Sequence, residues 1–155
     1  MKLVSACLCG INCKYNSKNN LKLNLVELMQ EGDVIPVCPE QLGGLPTPRL
    51  PAEIKAGSGQ DVLAGNSKVL NKYGDDVTDS YIRGAYETLK IARLAGVDTA
   101  ILKSRSPSCG SGYIYDDSFN NKLRQADGVT AALLKENGIR VMDEDEYKEK
   151  GEYQD

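Results

Sequence analysis

Thr78-Asp-Ser-Tyr-Ile-Arg-Gly-Ala-Tyr-Glu-Thr-Leu-Lys-Ile-Ala-Arg-Leu-Ala-Gly-Val-Asp-Thr-Ala-Ile-Leu-Lys103 is the stretch that decides the fold. Thr78 or Asp79 can cap a helix, and Ile82, Ala85, Tyr86, Leu89 and Ala92 recur at helical spacing until Gly96 stops it. Thr99 to Leu102 is then a short apolar run, which reads as a strand. The same alternation extends to both sides. Lys2 to Ala6 reads as a first strand ending at Cys7, and residues 8–22 as a Gly-, Asn-, Lys- and Ser-rich loop. Leu25, Leu28 and Met29 keep helical spacing before Gly32, and Asp33 to Val37 reads as a second strand ending at Cys38. Beyond the central stretch, Gly128 and Val129 open another helix with Val129, Ala132 and Leu133 facing inward. Asn137-Gly138 stops it, and Ile139 to Met142 is a fourth strand.

Strands alternating with helices predict an α/β fold. The expectation is a single domain over residues 1–155, with a mostly parallel sheet flanked by helices in a Rossmann-like three-layer arrangement. Residues 143–155 form a charged tail, expected as a short exposed helix with a frayed end. Five of the six prolines, Pro36, Pro39, Pro46, Pro48 and Pro51, crowd into one segment. Proline lacks an N–H and fixes φ, so residues 36–51 are expected as a long, stiff, irregular loop, neither helix nor central strand. The Gly- and Ser-rich residues 56–67 are expected to be mobile.

The 155 residues carry five cysteines and no histidine. Imidazole-based triads, Cys–His dyads and histidine-bearing zinc sites are therefore excluded within the chain. The remaining options are all-thiolate metal binding, disulfide chemistry or inert buried thiols. A formal net charge of −3 and the lack of a basic cluster interleaved with aromatics argue against a nucleic-acid polymer as partner. No stretch approaches the ~20 apolar residues of a membrane span, and the short apolar start does not read as a signal peptide, so a cytoplasmic protein is expected. In a reducing compartment, thiols point to metal or redox chemistry more than to structural disulfides.

In a parallel sheet, ligands bind beyond the carboxyl ends of the strands. Three strands lead, directly or through a short loop, to Cys7, Cys38 and Cys109, so these distant thiols are predicted to meet at one sheet edge. Taken singly, each could be an ordinary buried cysteine, but all three stand among turn residues rather than inside apolar runs. The spacings match neither paired zinc knuckles nor ferredoxin runs nor a thioredoxin-type CxxC. Thiolates on separate loops suit an iron–sulfur cluster with one iron open to act as a Lewis acid. Glu40, Arg49, Glu53, Ser104, Ser106 and Ser108 are the neighbouring polar groups. Without histidine, a carboxylate is the natural general acid or base. Lys103 and Arg105 can pair with acidic side chains or hold an anion. Tyr81 and Tyr86 are expected half-buried on their helix, and Tyr15 on the surface.

Three ordered motifs resemble one family. They are Val4-Ser-Ala-Cys-Leu-Cys-Gly-Ile-Asn-Cys-Lys-Tyr-Asn16, Val37-Cys-Pro-Glu-Gln-Leu-Gly-Gly-Leu-Pro-Thr-Pro-Arg49 and Leu102-Lys-Ser-Arg-Ser-Pro-Ser-Cys-Gly110. The family is that of small bacterial domains whose characterised relatives are thiouracil desulfurases. The resemblance implies a [4Fe-4S] cluster held by Cys7, Cys38 and Cys109, with the fourth iron free for the sulfur of a thiolated base. It also implies a non-redox reaction, in which C=S and water give C=O and hydrogen sulfide. Glu40 maps to the acid/base, and Ser106 or Ser108 to a catalytic serine, with Ser106 preferred. Cys13 lies in the first motif as ligand, spare thiol or sulfide handler. Cys9 stands where the family has an aliphatic residue and reads as incidental. The competing readings are a cluster carrier or redox sensor without a substrate, and a thiol-only or plain binding domain. A carrier needs thiolates but no acid/base group.

Overall fold

The computed structural model describes residues 1–148. Strands β1 (Lys2–Ser5), β2 (Val34–Val37), β5 (Thr99–Leu102) and β8 (Arg140–Asp143) form a four-stranded, wholly parallel sheet in the order β2-β1-β5-β8. Between them lie α1 (Leu23–Gln30), α2 (Pro39–Leu42), α3 (Gly59–Leu63), α4 (Thr78–Ala95) and α5 (Val129–Glu136). Two antiparallel hairpins stand apart from the sheet: β3 (Ala52–Lys55) with β4 (Lys68–Asn71), and β6 (Tyr113–Tyr115) with β7 (Leu123–Gln125).

Successive side chains of a strand point to opposite faces, and here both faces are covered. Leu3, Ala100 and Leu102 meet the helix α4 and α5 residues Ala85, Leu89, Val129 and Leu133 on one side. Val4, Ile101 and Met142 pack with Leu8 and the α1 residue Leu25 on the other. The result is the three-layer α/β arrangement read from the alternation of elements. Between β1 and β5 the strand order changes direction, and such a switch point opens a crevice at the carboxyl ends of the strands.

Several local expectations are corrected. The Pro-rich segment does hold a helical turn: α2 starts at Pro39, where the missing N–H would have no intrahelical partner anyway. Pro36 lies within β2, at the sheet edge, where the ladder on one side is empty. Residues 56–67 are built around α3, whose start is fixed by a reciprocal capping box between Ser58 and Asp61. Helix α4 is flanked by Val77 and has no side-chain cap, because Thr78 Oγ1 instead accepts the β4 N–H of Val69 at 2.9 Å. Its inward face is also rotated from the expected stripe. Tyr81 is buried at 3% exposure, whereas Tyr86 is 53% exposed. Asp143 closes β8 and residues 144–148 are helical, with Glu144 buried; residues 149–155 of the tail lie outside the described residues. Among the described residues no helix is long and apolar enough to cross a membrane.

A thiol-lined candidate active site

At the carboxyl edge of the parallel sheet lies a cleft of ≈ 440 Å³, and Cys7, Cys13, Cys38 and Cys109 all line it. Cys7, Cys38 and Cys109 are each placed by a local rule. After β1 the chain turns into a 3₁₀ turn, Ala6–Cys9, ended by Gly10 in the left-handed conformation, φ 89°. That turn presents Cys7, while Asn20 N–H ties the following loop back to the Cys7 carbonyl at 2.9 Å. Cys38 follows β2 and flanks the start of α2. The loop after β5 bends at Arg105, φ 73°, and its carbonyls receive the free N–H groups at the start of α5: Val129 to Pro107 at 2.8 Å and Thr130 to Ser108 at 2.9 Å. Cys109 is thereby anchored to a helix end as well as to a strand.

Cys38 Sγ lies 3.7 Å from the Cys13 carbonyl, to which it donates. Hydrogen bonding from Cys13 lowers the Cys7 pKa, helped by Asn20 and the Lys103 charge against the cost of burial. The same Cys13 bond, the Gln41 backbone N–H and the Arg49 charge bring Cys38 down to about 7, against burial and the Glu40 charge. Hydrogen bonding with Cys38 and Cys7, together with burial, pushes the Cys13 pKa well up, so it keeps its proton. Burial pushes Cys109 up to about 12, although Ser5 hydrogen-bonds it. Cys9 does not line the cleft.

Glu40, in the first turn of α2, faces the same cleft. Arg49 Nε donates to Glu40 Oε2 at 2.7 Å, and the guanidinium Nη2 makes a closer ion-pair contact with the same oxygen. Arg49 also donates to the Cys13 carbonyl at 2.8 Å and to Thr47 Oγ1 at 2.9 Å, so one side chain joins the first and second motifs. The Tyr81 hydroxyl donates to Glu40 Oε1 at 3.2 Å from α4. Helices α2 and α4 can meet this closely only through glycine: a Cβ on Gly84 would stand 1.9 Å from the Pro39 carbonyl oxygen, and one on Gly43 2.0 Å from that of Ser80.

The two serines separate. Ser106 lines the cleft, and its Oγ accepts the Cys109 N–H at 2.7 Å, which leaves its own O–H free to donate. Ser108 is buried against Thr130 Oγ1 at 2.9 Å and does not line the cleft. Lys103 lines the cleft and pairs with Glu144 at 3.6 Å. Glu53 belongs to β3 and also faces the cleft. Sequence reasoning passed over Tyr81 as core and left Arg49 without a partner. Both work through contacts 41 and 9 residues away, and no spacing rule exposes such contacts.

The donor set suits a thiolate-held group. The cysteines are all free thiols, and two of those in the cleft have lowered pKa values. Among the described residues no three Cys, Asp or Glu side chains surround a point that would hold a single metal ion. Thiolates are the side chains that hold iron–sulfur clusters, and Cys7, Cys38 and Cys109 line one cleft.

A family model described as 2-thiouracil desulfurase matches residues 3–146. The chain belongs to the 2-thiouracil desulfurase family. It is 48% identical over 146 residues to the Bacillus subtilis (strain 168) protein YbbK, covering 94% of this chain and 97% of that one. It also resembles the solved structure of TudS, a [4Fe-4S]-dependent thiouracil desulfidase, with a TM-score of 0.83 and 40% identity over 95% of this chain and 92% of that one.

Proposed function

We propose that this protein is a [4Fe-4S]-dependent desulfurase that converts the C=S group of a small thiolated nucleobase, such as 2-thiouracil, to C=O with release of hydrogen sulfide. The observation that carries the reading is the meeting of Cys7, Cys38 and Cys109 with a carboxyl, Glu40, that is held from two further elements in one cleft. Family membership and the likeness to TudS support it. A carrier or sensor would need the thiols but not the Arg49–Glu40–Tyr81 arrangement. A cleft of ≈ 440 Å³ suits one heterocycle rather than a polymer. We assign the enzyme to the cytoplasm, where thiols stay reduced.

Cys7, Cys38 and Cys109 would hold the cluster, which supplies a thiophilic Lewis acid for the substrate sulfur. Cys13 stands beside them, its carbonyl accepting from Cys38 Sγ and from Arg49. Glu40 is the general base. A carboxylate has about four lone-pair sites, so its bonds to Arg49 and Tyr81 leave room to accept a proton from water. That water forms the new C–O bond as the C–S bond breaks. Glu40 takes the first water proton and delivers it to the sulfur, then takes the second from the new C–OH as C=O forms and delivers it likewise, so the sulfur leaves as H₂S and atoms and charge balance without any oxidant. Ser106, with its oxygen already accepting from Cys109 N–H, donates its hydroxyl hydrogen to the negative charge that builds up at the reacting thioamide.

Anaerobic reconstitution with iron and sulfide, followed by a sulfide-release assay with 2-thiouracil, tests the reading. The wild type should become brown and release sulfide. Glu40→Gln should bind the same iron and lose about 10²–10⁴-fold in rate, the usual worth of a general base. A protein that takes up no iron, or a loaded protein that releases no sulfide, would refute it.

A further inference from the structure

The cleft holds a second carboxyl that this chemistry leaves unused. Glu53 pairs with Leu70 in the β3–β4 hairpin, and its side chain lines the cleft while the residue is only 7% exposed. Its Oε1 accepts the Phe119 N–H at 2.9 Å. Among the described residues its other oxygen, Oε2, has no hydrogen-bond partner, and the only sealed-in side-chain polar atom without one is Arg124 Nε. Oε2 is therefore accessible and unpartnered on a residue that lines the cleft. The contrast with Glu40 is plain: Arg49 and Tyr81 hold both of that carboxyl's oxygens.

The loop tied down by Glu53 contributes Phe119 and Asn121 to the same cleft. Both residues adopt the left-handed conformation, φ 56° and 60°, which costs a non-glycine residue about 1 kcal/mol or more and needs an anchor. Phe119, with Leu50 and Pro51, lends the cleft apolar surface beside the open carboxyl oxygen. Burial raises the Glu53 pKa; Asp116 and Asp117 add to the shift, while the Phe119 N–H and the Arg124 charge oppose it. A crowded carboxyl of this kind gains from an acidic N–H that shares its charge. Thioamide and imide N–H groups of a heterocycle are such donors.

We propose that Glu53 is a specificity-determining residue, whose open Oε2 accepts a ring N–H of the bound heterocycle and so selects bases that carry one over N-alkylated bases. The assignment rests on the nucleobase reading of the site, but it can fail separately from it. Calorimetric titration of the reconstituted protein with uracil and with 1,3-dimethyluracil, which has lost both ring N–H groups, tests it without turnover. Glu53→Gln keeps an oxygen for the Phe119 N–H but can turn an NH₂ toward the cleft, a donor facing a donor. Wild type should bind uracil at least about tenfold more tightly than dimethyluracil, and Glu53→Gln should weaken uracil about tenfold while leaving dimethyluracil within about twofold, as expected for one hydrogen bond to a carboxylate. Equal loss for both ligands would reveal a merely structural role and overturn the proposal. So would wild-type protein that binds both ligands alike or neither, and that result needs no variant to fold. Sulfide release from 2-thiouracil is measured in parallel. The expected titration pattern with no sulfide released keeps Glu53 and discards the desulfurase reading; sulfide release with unchanged selectivity does the reverse.

Discussion

Arg49 gives the most direct test of how the site is held together. Its side chain is 7% exposed and that of its partner Glu40 15%, so both charges are largely out of water. Arg49→Met keeps most of the stem packing but removes the bonds to Glu40 Oε2, the Cys13 carbonyl and Thr47 Oγ1. Taking one partner from a buried pair costs about 3–5 kcal/mol, because the other charge stays behind. Here Glu40 retains the Tyr81 hydroxyl and some solvent, which places the loss near the lower end, about 3 kcal/mol. For a chain of this size each kcal/mol moves Tm by about 2–4 °C, so the expected fall is about 6–12 °C. Circular dichroism melts of wild type, Arg49→Met, Glu40→Gln and the double variant give the assay. The double variant should lose less than the two single losses combined, with a coupling of at least about 1.5 kcal/mol. Arg49→Lys should recover only part of the loss, since an ammonium cannot reproduce the guanidinium fork. A Tm change under about 2 °C, or strict additivity in the cycle, would refute the claim that this pair anchors the second motif to the first.

Gly84→Ala sets a methyl group against the Pro39 carbonyl. It should cost about 1–3 kcal/mol and lower sulfide release more than a surface substitution of equal stability cost, because α2 carries Glu40; unchanged melting and rate would argue against close α2–α4 packing. Cys7→Ser, Cys38→Ser and Cys109→Ser should each cut iron content sharply after reconstitution, read by iron and sulfide analysis. If Cys13→Ser does so and one of those three does not, the ligand set must be redrawn. In cluster-free protein, Cys38 is a thiolate above about 7, so its alkylation rate should climb through that pH and level off, while Cys109 stays protonated up to about 12 and unreactive. The stability signs follow from an unfolded thiol value of ~8.5. The Cys38 contribution is present above that value and fades as pH falls through about 7, whereas that of Cys109 is present below it and is lost as pH rises toward about 12. Mass spectrometry of each alkylated cysteine reads the order of reaction, and equal rates for Cys38 and Cys109 at pH 8 would contradict it.

Much of this arrangement is legible in the chain. The helix ended by Gly96 and the strand after it, the short apolar runs that lead to Cys7 and Cys38, and the absence of histidine are local facts, governed by backbone propensity, periodicity and residue chemistry. Together they specify a parallel α/β sheet with thiols gathered at its carboxyl edge. Other features are invisible until the chain closes on itself. The short helix opened by Pro39 is pressed against α4 at Gly84, a contact between residues 45 apart in sequence. Ser106 and Ser108 are two residues apart and chemically identical, yet one faces the cleft and the other is turned onto Thr130 by the way α5 docks on their loop. Tyr81 and Arg49 find Glu40 only because α4, α2 and the Pro-rich loop cross at Gly84 and Gly43. Periodicity constrains which face of an element is apolar. Which polar group meets which is decided by contacts between residues far apart in sequence, and those form only when the layers pack.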